Sequence, residues 1–298
     1  MWSYNNAGFY VAGRVIEAVT GASYEAASRE LVLEPLGLER SFFFPDEVMT
    51  YRFATGHVSG EDEQAVVSRE WWIGRAAHPA GGIVQSLRDL LRYGRFAFDG
   101  QPLLTPESFA ELRRPQVRVG GEVDAVGLAW MLRTLDGVDL ISHDGGTSGQ
   151  VARLVVAPER RFAFAALTNH GYGSVLIERA ARSVLERHLQ VREPELEPVS
   201  SGGERLAEYA GRYSSWVLNA DIEVADGGLE LQLTQTRGFP RQDSPIPPPP
   251  PPGRFYFYDD DWIVAREGLW ERTRAEFLRD GEGQIEWLRL GGRVMRRA

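Results

Sequence analysis

Between residues 6 and 20 the apolar side chains Ala7, Val11, Val15 and Val19 recur at four-residue spacing, with Tyr10, Ala12, Ile16 and Ala18 beside them. That period predicts an amphipathic helix with a broad buried face. Gly21 suits the left-handed residue that ends a helix. Ser23 is placed to cap a second helix over 24–33, which must stop before Glu34-Pro35, because the residue ahead of a proline is pushed out of helical conformation. Residues 35–75 keep no period and are rich in aromatics (Phe42, Phe43, Phe44, Trp71, Trp72), so they read as loop and short elements. After the turn Ala80-Gly81-Gly82, Ser86 caps an amphipathic helix running to Phe98. Thr105-Pro106 opens another, with proline at its first position.

From residue 123 the period shortens toward two. Ala125–Arg133, Asp139–His143, Gln150–Ala157 and Phe162–Thr168 predict strands, with hairpin turns at Gly137 and at Pro158-Glu159-Arg160-Arg161. Residues 174–190 return to an amphipathic helix. Residues 192–203, REPELEPVSSGG, have few apolar anchors and read as a linker. Beyond them come short strand-like segments: Tyr209–Ser215, Ala220–Ala225, Leu229–Thr234, Arg254–Tyr258, Trp262–Arg266, Arg274–Arg279, Gln284–Leu290 and Arg293–Arg296. Turn signals at Asp226-Gly227, Asp280-Gly281 and Gly291-Gly292 separate several of them, which predicts a small antiparallel barrel. PIPPPPPP, residues 245–252, interrupts the barrel as a stiff polyproline segment. It reads as a rigid loop between two strands rather than as a ligand for proline-binding modules. The fold class is therefore α+β.

Composition narrows the function. The 298 residues are 43% hydrophobic and 25% charged, enough for one large or two ordinary globular domains. A net charge of −9 without a dense basic cluster argues against nucleic-acid binding, where phosphate contacts supply most of the affinity. No apolar run approaches the length of a membrane span. Cysteine is absent, which excludes disulfides, thiolate catalysis and cysteine-type zinc sites. All 33 basic residues are arginine. Without lysine, no step in this chain uses a lysine base or Schiff base.

Two stretches carry candidate chemistry. Tyr4-Asn5-Asn6 lies directly before the first helix, where a phenol meets the positive field of a helix N-terminus and an amide orients a carbonyl. HDGGTSGQ, residues 143–150, is predicted at a strand start. Its glycines let a backbone approach a ligand closely, and a backbone N–H there stabilises an oxyanion. His143 adds a side chain that both donates and accepts. Each stretch alone has a plainer explanation: Tyr-x-Asn is common, and His-Asp-Gly-Gly makes a hairpin turn. His57 and His78 read as loop residues, and His170 and His188 as surface residues. The five histidines are too scattered for a metal cluster, and no cofactor is implied.

In chain order the segments resemble the serine β-lactamase-like superfamily of class C β-lactamases, D-alanyl-D-alanine carboxypeptidases and related esterases. YNNAGFYVAGRVIEAVTG resembles its Tyr-x-Asn motif and following helix. LVLEPLGLERSFF is similar to its "PLGM" segment, and HPAGGIVQSLRDLLRYG to its Ala-Gly-Gly segment. HDGGTSGQVARLVVAPERRFAFAALTNHG resembles the His-x-Gly form of the third motif with its two strands and terminal Thr-Asn. The region after 203 resembles the lipocalin-like barrel appended to some of these hydrolases. The resemblance implies an incomplete β-lactamase/transpeptidase-like domain at 1–191, a linker at 192–203 and a barrel domain at 204–298.

The family works by acylation of a serine in a Ser-x-x-Lys motif, followed by hydrolysis. By position, Tyr4 is then the general base or proton relay. Asn6 contacts the substrate amide and the nucleophile's lysine. His143 stands where the lactamases carry the first residue of the third motif, a lysine. Gly145 keeps the strand open, the N–H of Gly146 forms half of the oxyanion hole, and Thr147 contacts substrate. The partner is a small-molecule or peptide amide or ester; β-lactam, D-amino peptide and simple ester all stay open, and histidine in place of lysine leans away from β-lactams. The oligomeric state is unknown. A chain without lysine holds no Ser-x-x-Lys, so the resemblance implies a hydrolase portion, inactive alone, whose first motif lies on a preceding segment. Loss of that segment should leave apolar surface on the first helix uncovered. The alternative is a non-catalytic binding protein of the same fold that holds a peptide or lipid-like ligand, or a partner chain.

Overall fold

A computed structural model describes every residue except 61–63, 70, 72, 200–202, 239–241, 243–245 and 247, and the side chains of 203 and 204. Trp72, the end of the expected linker and Pro245 and Pro247 of the proline run thus lie outside the described residues. The chain divides into two compact units. One comprises Asn6–Arg118 and Val123–Glu193, the other Met1–Asn5, Val119–Glu122 and Pro194–Ala298.

The first unit begins with α1 (Ala7–Thr20), ended by Gly21 in the left-handed region at φ 70°. Ser23 caps α2 (Tyr24–Ser28), accepting from the N–H of Ala26. The expected helix over 24–33 changes character partway: Arg29–Leu33 is a π turn. The wider turn delivers Leu33 into a cluster with Leu38 and Phe43 before Pro35 ends the helix. Short elements follow: β1 (Ser41–Phe42), α3 (Pro45–Val48), β2 (His57–Ser59), β3 (Ala65–Val67), the 3₁₀ turn Arg75–Ala80 and β4 (Val84–Gln85). Helix α4 (Leu87–Phe96) is capped by Ser86, and α5 (Pro106–Arg113) by Thr105.

A six-stranded antiparallel sheet forms the centre of this unit, in the order β10-β9-β8-β7-β6-β5. Its strands are β5 (Val117–Arg118), β6 (Ala125–Val126), β7 (Met131–Leu135), β8 (Val138–Thr147), β9 (Gln150–Ala157) and β10 (Phe162–Thr168). One face packs Ile141, Leu154 and Val156 with Trp130, Ala97 and the α4 residues Leu90 and Tyr93. The other packs Val138, Leu140 and Val155 with Leu185 of α6 (Gly173–Leu189). The expected single strand Ala125–Arg133 is two strands: a tight turn, with Ala129 at φ 70°, tucks Trp130 into the α4-side core. HDGGTSGQ is not a strand start. β8 runs unbroken from Val138 through Thr147, and only Ser148 and Gly149 turn the chain into β9.

Helix α1 departs from its expected broad buried face. Gly13 alone is buried, while Val11, Val15 and Val19 are 65%, 54% and 81% exposed. The apolar stripe exists, but within the described residues it has little to pack against.

The second unit is a closed barrel. After α7 (Gly203–Tyr209) it runs β11 (Gly211–Ser214), β12 (Leu218–Ala225), β13 (Gly228–Gln235), β14 (Gly253–Asp259), β15 (Trp262–Ala265), β16 (Arg274–Arg279), β17 (Ile285–Leu290) and β18 (Arg293–Arg297), each paired with the next and β18 with β11. The period-two alternation explains its filling. Ala220/Ile222, Leu229/Leu231, Phe255/Phe257, Ile263/Ala265 and Ala275/Phe277 all point inward and are at most 2% exposed. Tyr209 ends α7 instead of opening the first strand, and Gly211, at φ 138°, turns the chain into β11. Its ring enters the core against Phe257 and Phe277 at 4.6 and 4.7 Å, and its hydroxyl donates to Asp261 (2.8 Å). The polyproline stretch is tied to the barrel, since Gln232 and Trp270 donate to the carbonyls of Pro250 and Pro251 (2.9 and 2.8 Å).

Candidate active site

Strand β8 carries most of the candidate residues, and its register fixes where their groups point. The β7–β8 hairpin pairs Leu135 with Val138 and Met131 with Ser142; the β8–β9 hairpin pairs Thr147 with Gln150 and Gly145 with Ala152. Antiparallel alternation then sends the backbone groups of His143, Gly145 and Thr147 toward β9, and those of Ser142, Asp144 and Gly146 the other way. Strand β7 begins at Met131, opposite Ser142. Among the described residues no strand continues along β8 beyond that point, so Asp144 and Gly146 present their N–H and C=O groups along an open edge. The side chains alternate in the perpendicular sense: His143 and Thr147 share the face of Ile141, and Asp144 lies on the α6 face.

Neither Gly145 nor Gly146 is required by the surrounding chain. Both keep ordinary φ values. A Cβ on Gly146 would meet nothing within 4 Å, and one on Gly145 only the Ala152 methyl at 3.5 Å, an ordinary contact. Both are exposed. The segment is nonetheless held firmly. Arg153, opposite Asp144 on β9, grips its carboxylate with two bonds of 2.8 and 3.1 Å and pairs with Glu178 of α6. The half-buried ring of His143 lies with Nδ1 2.7 Å from the Asp144 carbonyl oxygen, which places its proton on Nδ1 and leaves Nε2 as the acceptor of the neutral ring.

The turn at Ser148-Gly149 is buttressed by His57 and Ser68, read from sequence as loop, and by Asn169, the terminal Asn of the third-motif segment. The His57 N–H lies 3.2 Å from the Gly149 carbonyl and 2.9 Å from that of Asn169. Asn169 Nδ2 donates to the Thr55 carbonyl (3.1 Å), and Ser68 Oγ donates to Ser148 Oγ (3.1 Å). A Cβ on Gly149 would fall 2.4 Å from the His57 nitrogen, so glycine is needed there for close approach and for its φ of 73°.

Asn6 and Tyr4 belong to different units. Asn6 is the N-cap of α1; its carbonyl accepts from the N–H groups of Phe9 and Tyr10 (3.1 and 3.3 Å), while its side chain makes no capping bond. Tyr4 lies in the barrel unit. Its N–H donates to the Gly292 carbonyl (2.8 Å), its ring meets Trp2 edge-on, and the Arg293 guanidinium lies 5.1 Å from the ring centre.

Sequence reasoning missed a buried charged cluster in the first unit. Glu25 of α2 and His78 of the 3₁₀ turn are 6% and 3% exposed. His78 Nδ1 donates to Glu25 Oε1 (2.7 Å), and Arg75 grips both carboxylate oxygens (3.2 and 3.1 Å). Burial opposes ionisation of Glu25, but hydrogen bonds from Arg75, its own backbone N–H and His78 outweigh it and bring its pKa to about 2. The sequence separation of 53 between Glu25 and His78 leaves no local signal for the pair.

The layered helix–sheet–helix unit and the order of its segments are those of the β-lactamase fold. The chain belongs to the β-lactamase family, whose model, "Beta-lactamase", matches residues 1–189. It is 30% identical over 227 residues to penicillin-binding protein 4 of Amycolatopsis lactamdurans, covering 71% of this chain and 59% of that protein. It is 27% identical over 243 residues to a D-aminopeptidase of Gluconobacter oxydans, covering 78% of this chain and 42% of that protein. Among solved structures, the crystal structure of SurE superposes with a TM-score of 0.70 at 26% identity, over 99% of this chain and 68% of SurE. SurE with D-Leu superposes at 0.67 and 25% identity, over 99% of this chain and 67% of that one. The chain thus spans about half the length of the curated relatives it matches. Among the described residues no helix is long and apolar enough to cross a membrane.

Proposed function

We propose that this chain supplies the second and third motifs of a serine hydrolase that cleaves amide or ester bonds through an acyl-enzyme, with D-amino-acid amides as the substrate class. The observation that carries the reading is the β8 edge. Two exposed glycines, required by no neighbour and by no backbone angle, border a strand edge that no described strand pairs, on which Gly146 presents its N–H. That is the geometry an oxyanion or a substrate backbone needs. In this reading Gly146 donates to the oxyanion, Gly145 gives the substrate room, and His143 and Thr147 contact it from the face they share. Asn6 holds the substrate amide, and Tyr4 relays the proton to the leaving group. The D-configured class rests on relatives: a D-aminopeptidase and a SurE structure holding D-Leu.

The serine and its lysine lie outside these residues in this reading, since the chain has no lysine. The uncovered apolar stripe of α1 supports it, because a helix with Val11, Val15 and Val19 open to water is the face of a larger core. The filled interior of the barrel weighs against a lipocalin-like ligand carrier and so against the binding-protein alternative. The test is to read the DNA upstream of the Met1 codon and assay the extended protein on D-amino-acid anilides. An in-frame Ser-x-x-Lys, with hydrolysis lowered about a hundredfold or more by Tyr4→Phe, is expected. Stop codons just upstream, or full activity in Tyr4→Phe, contradict it.

A further inference from the structure

The buried Glu25–His78 pair, gripped from the surface by the exposed Arg75, has no part in the roles above, yet it lies one contact away from the helix that carries Asn6. Pro79 follows His78 directly and packs against α1 at Gly13. A Cβ on Gly13 would fall 2.1 Å from the Pro79 Cγ and 2.7 Å from its Cβ. Gly13 is also the one buried residue of α1. The helix is thus seated through a notch that only glycine provides, and the proline ring fills that notch.

The position of Pro79 is in turn set by His78. The imidazole is enclosed by Phe43 at 5.5 Å, tilted by 31°, and by Phe44 edge-on at 5.3 Å. Gly82 backs the ring so closely that a Cβ there would lie 2.5 Å from Cδ2. The His78 carbonyl accepts from the N–H groups of Gly81 and Gly82 (3.1 and 2.9 Å), closing the turn around Pro79. The bond from Nδ1 to Glu25 ties this turn to α2, and the Arg75 fork on the same carboxylate ties its other end. Helix α2 is joined to α1 at the corner, where the Tyr24 N–H donates to Glu17 (3.2 Å).

We propose that Glu25 and His78 are positioning residues: through Pro79 in the Gly13 notch they set the place of α1 and hence of the Asn6 amide. The connection runs through a rigid turn and a single helix. It needs no contact between the cluster and substrate. The role assigned to Asn6 rests on the function proposed above; the seating of α1 does not, and the two are tested by different readouts.

The experiment is amide hydrogen exchange on the 298-residue chain, with His78→Leu, His78→Asn and Gly13→Ala. Leucine keeps an apolar filling but removes the donor to Glu25. Asparagine places its amide nitrogen near the position of Nδ1 and restores the donor. The expected result for His78→Leu is a loss of protection of about tenfold or more in α1, with less than about threefold change in β8, β9 and the barrel. His78→Asn is expected to recover most of that protection. Gly13→Ala is expected to give the same α1-confined loss while the downfield Nδ1–H proton resonance of His78 persists, which separates seating from integrity of the pair and stands if the leucine variant fails to fold. Unchanged α1 exchange in Gly13→Ala or in His78→Leu overturns the inference, as does a uniform loss across the first unit or failure of asparagine to rescue. In the extended enzyme, His78→Leu should lower hydrolysis at least as His78→Asn restores it. Altered α1 exchange with unaltered hydrolysis would retain the seating and reject the role of Asn6.

Discussion

Glu25 is a buried carboxyl with a strongly lowered pKa, and its sign of action is fixed. Its carboxyl falls from an ordinary 4.5 to about 2 on folding. A depressed carboxyl contributes stability that is fully present above the unfolded value and is lost as pH falls through the folded one. Wild type should therefore lose about 2–3 kcal/mol from this group between pH 4.5 and 2, a span set by the cited values. Glu25→Gln should be less stable than wild type at pH 7, and the gap should narrow steadily across that window. Urea unfolding at a series of pH values measures it; a gap that stays constant down to pH 2 contradicts the assignment. The pair shows how little of such a site is legible from residues alone. His78 sits in a Pro-Ala-Gly-Gly context that reads as loop, and nothing near it in the chain signals a carboxylate partner.

At the scale of elements, period and caps were informative wherever one local rule dominates. Gly21, Ser23, Ser86 and Thr105 end or cap helices as their side chains and backbone freedom require. The readings that failed did so where packing overrules local pattern. Residues 29–33 widen into a π turn to bury Leu33, and Trp130 breaks a strand to enter the core. The glycines of HDGGTSGQ signal a turn in sequence, whereas in the fold Gly145 and Gly146 lie in an extended strand that Arg153 and β9 hold in register. Helix α1 offers the sharpest contrast, since its apolar stripe was legible but its burial was not. Substituting Val11 and Val19 with serine should change the stability of this chain by less than about 0.5 kcal/mol each, apart from helix propensity, because neither side chain is buried. The same changes should reduce binding of an apolar dye. A loss of about 2 kcal/mol per valine would show that the stripe is covered.

The whole molecule joins two kinds of unit. The barrel was the most legible part, because most of its strands alternate inward apolar and outward polar residues and most turns between them carry Gly or Asp. Its core is filled by its own aromatic and aliphatic side chains, so it reads as a folded module rather than a container. The first unit holds an open strand edge and a helix cap on which the proposed chemistry depends, but no lysine with which to activate a serine. Intact-protein mass measurement after incubation with a fluorophosphonate probe and, separately, with penicillin tests this most directly. An unchanged mass is expected for the 298-residue chain with both reagents. A stoichiometric covalent adduct on any serine of this chain would contradict it.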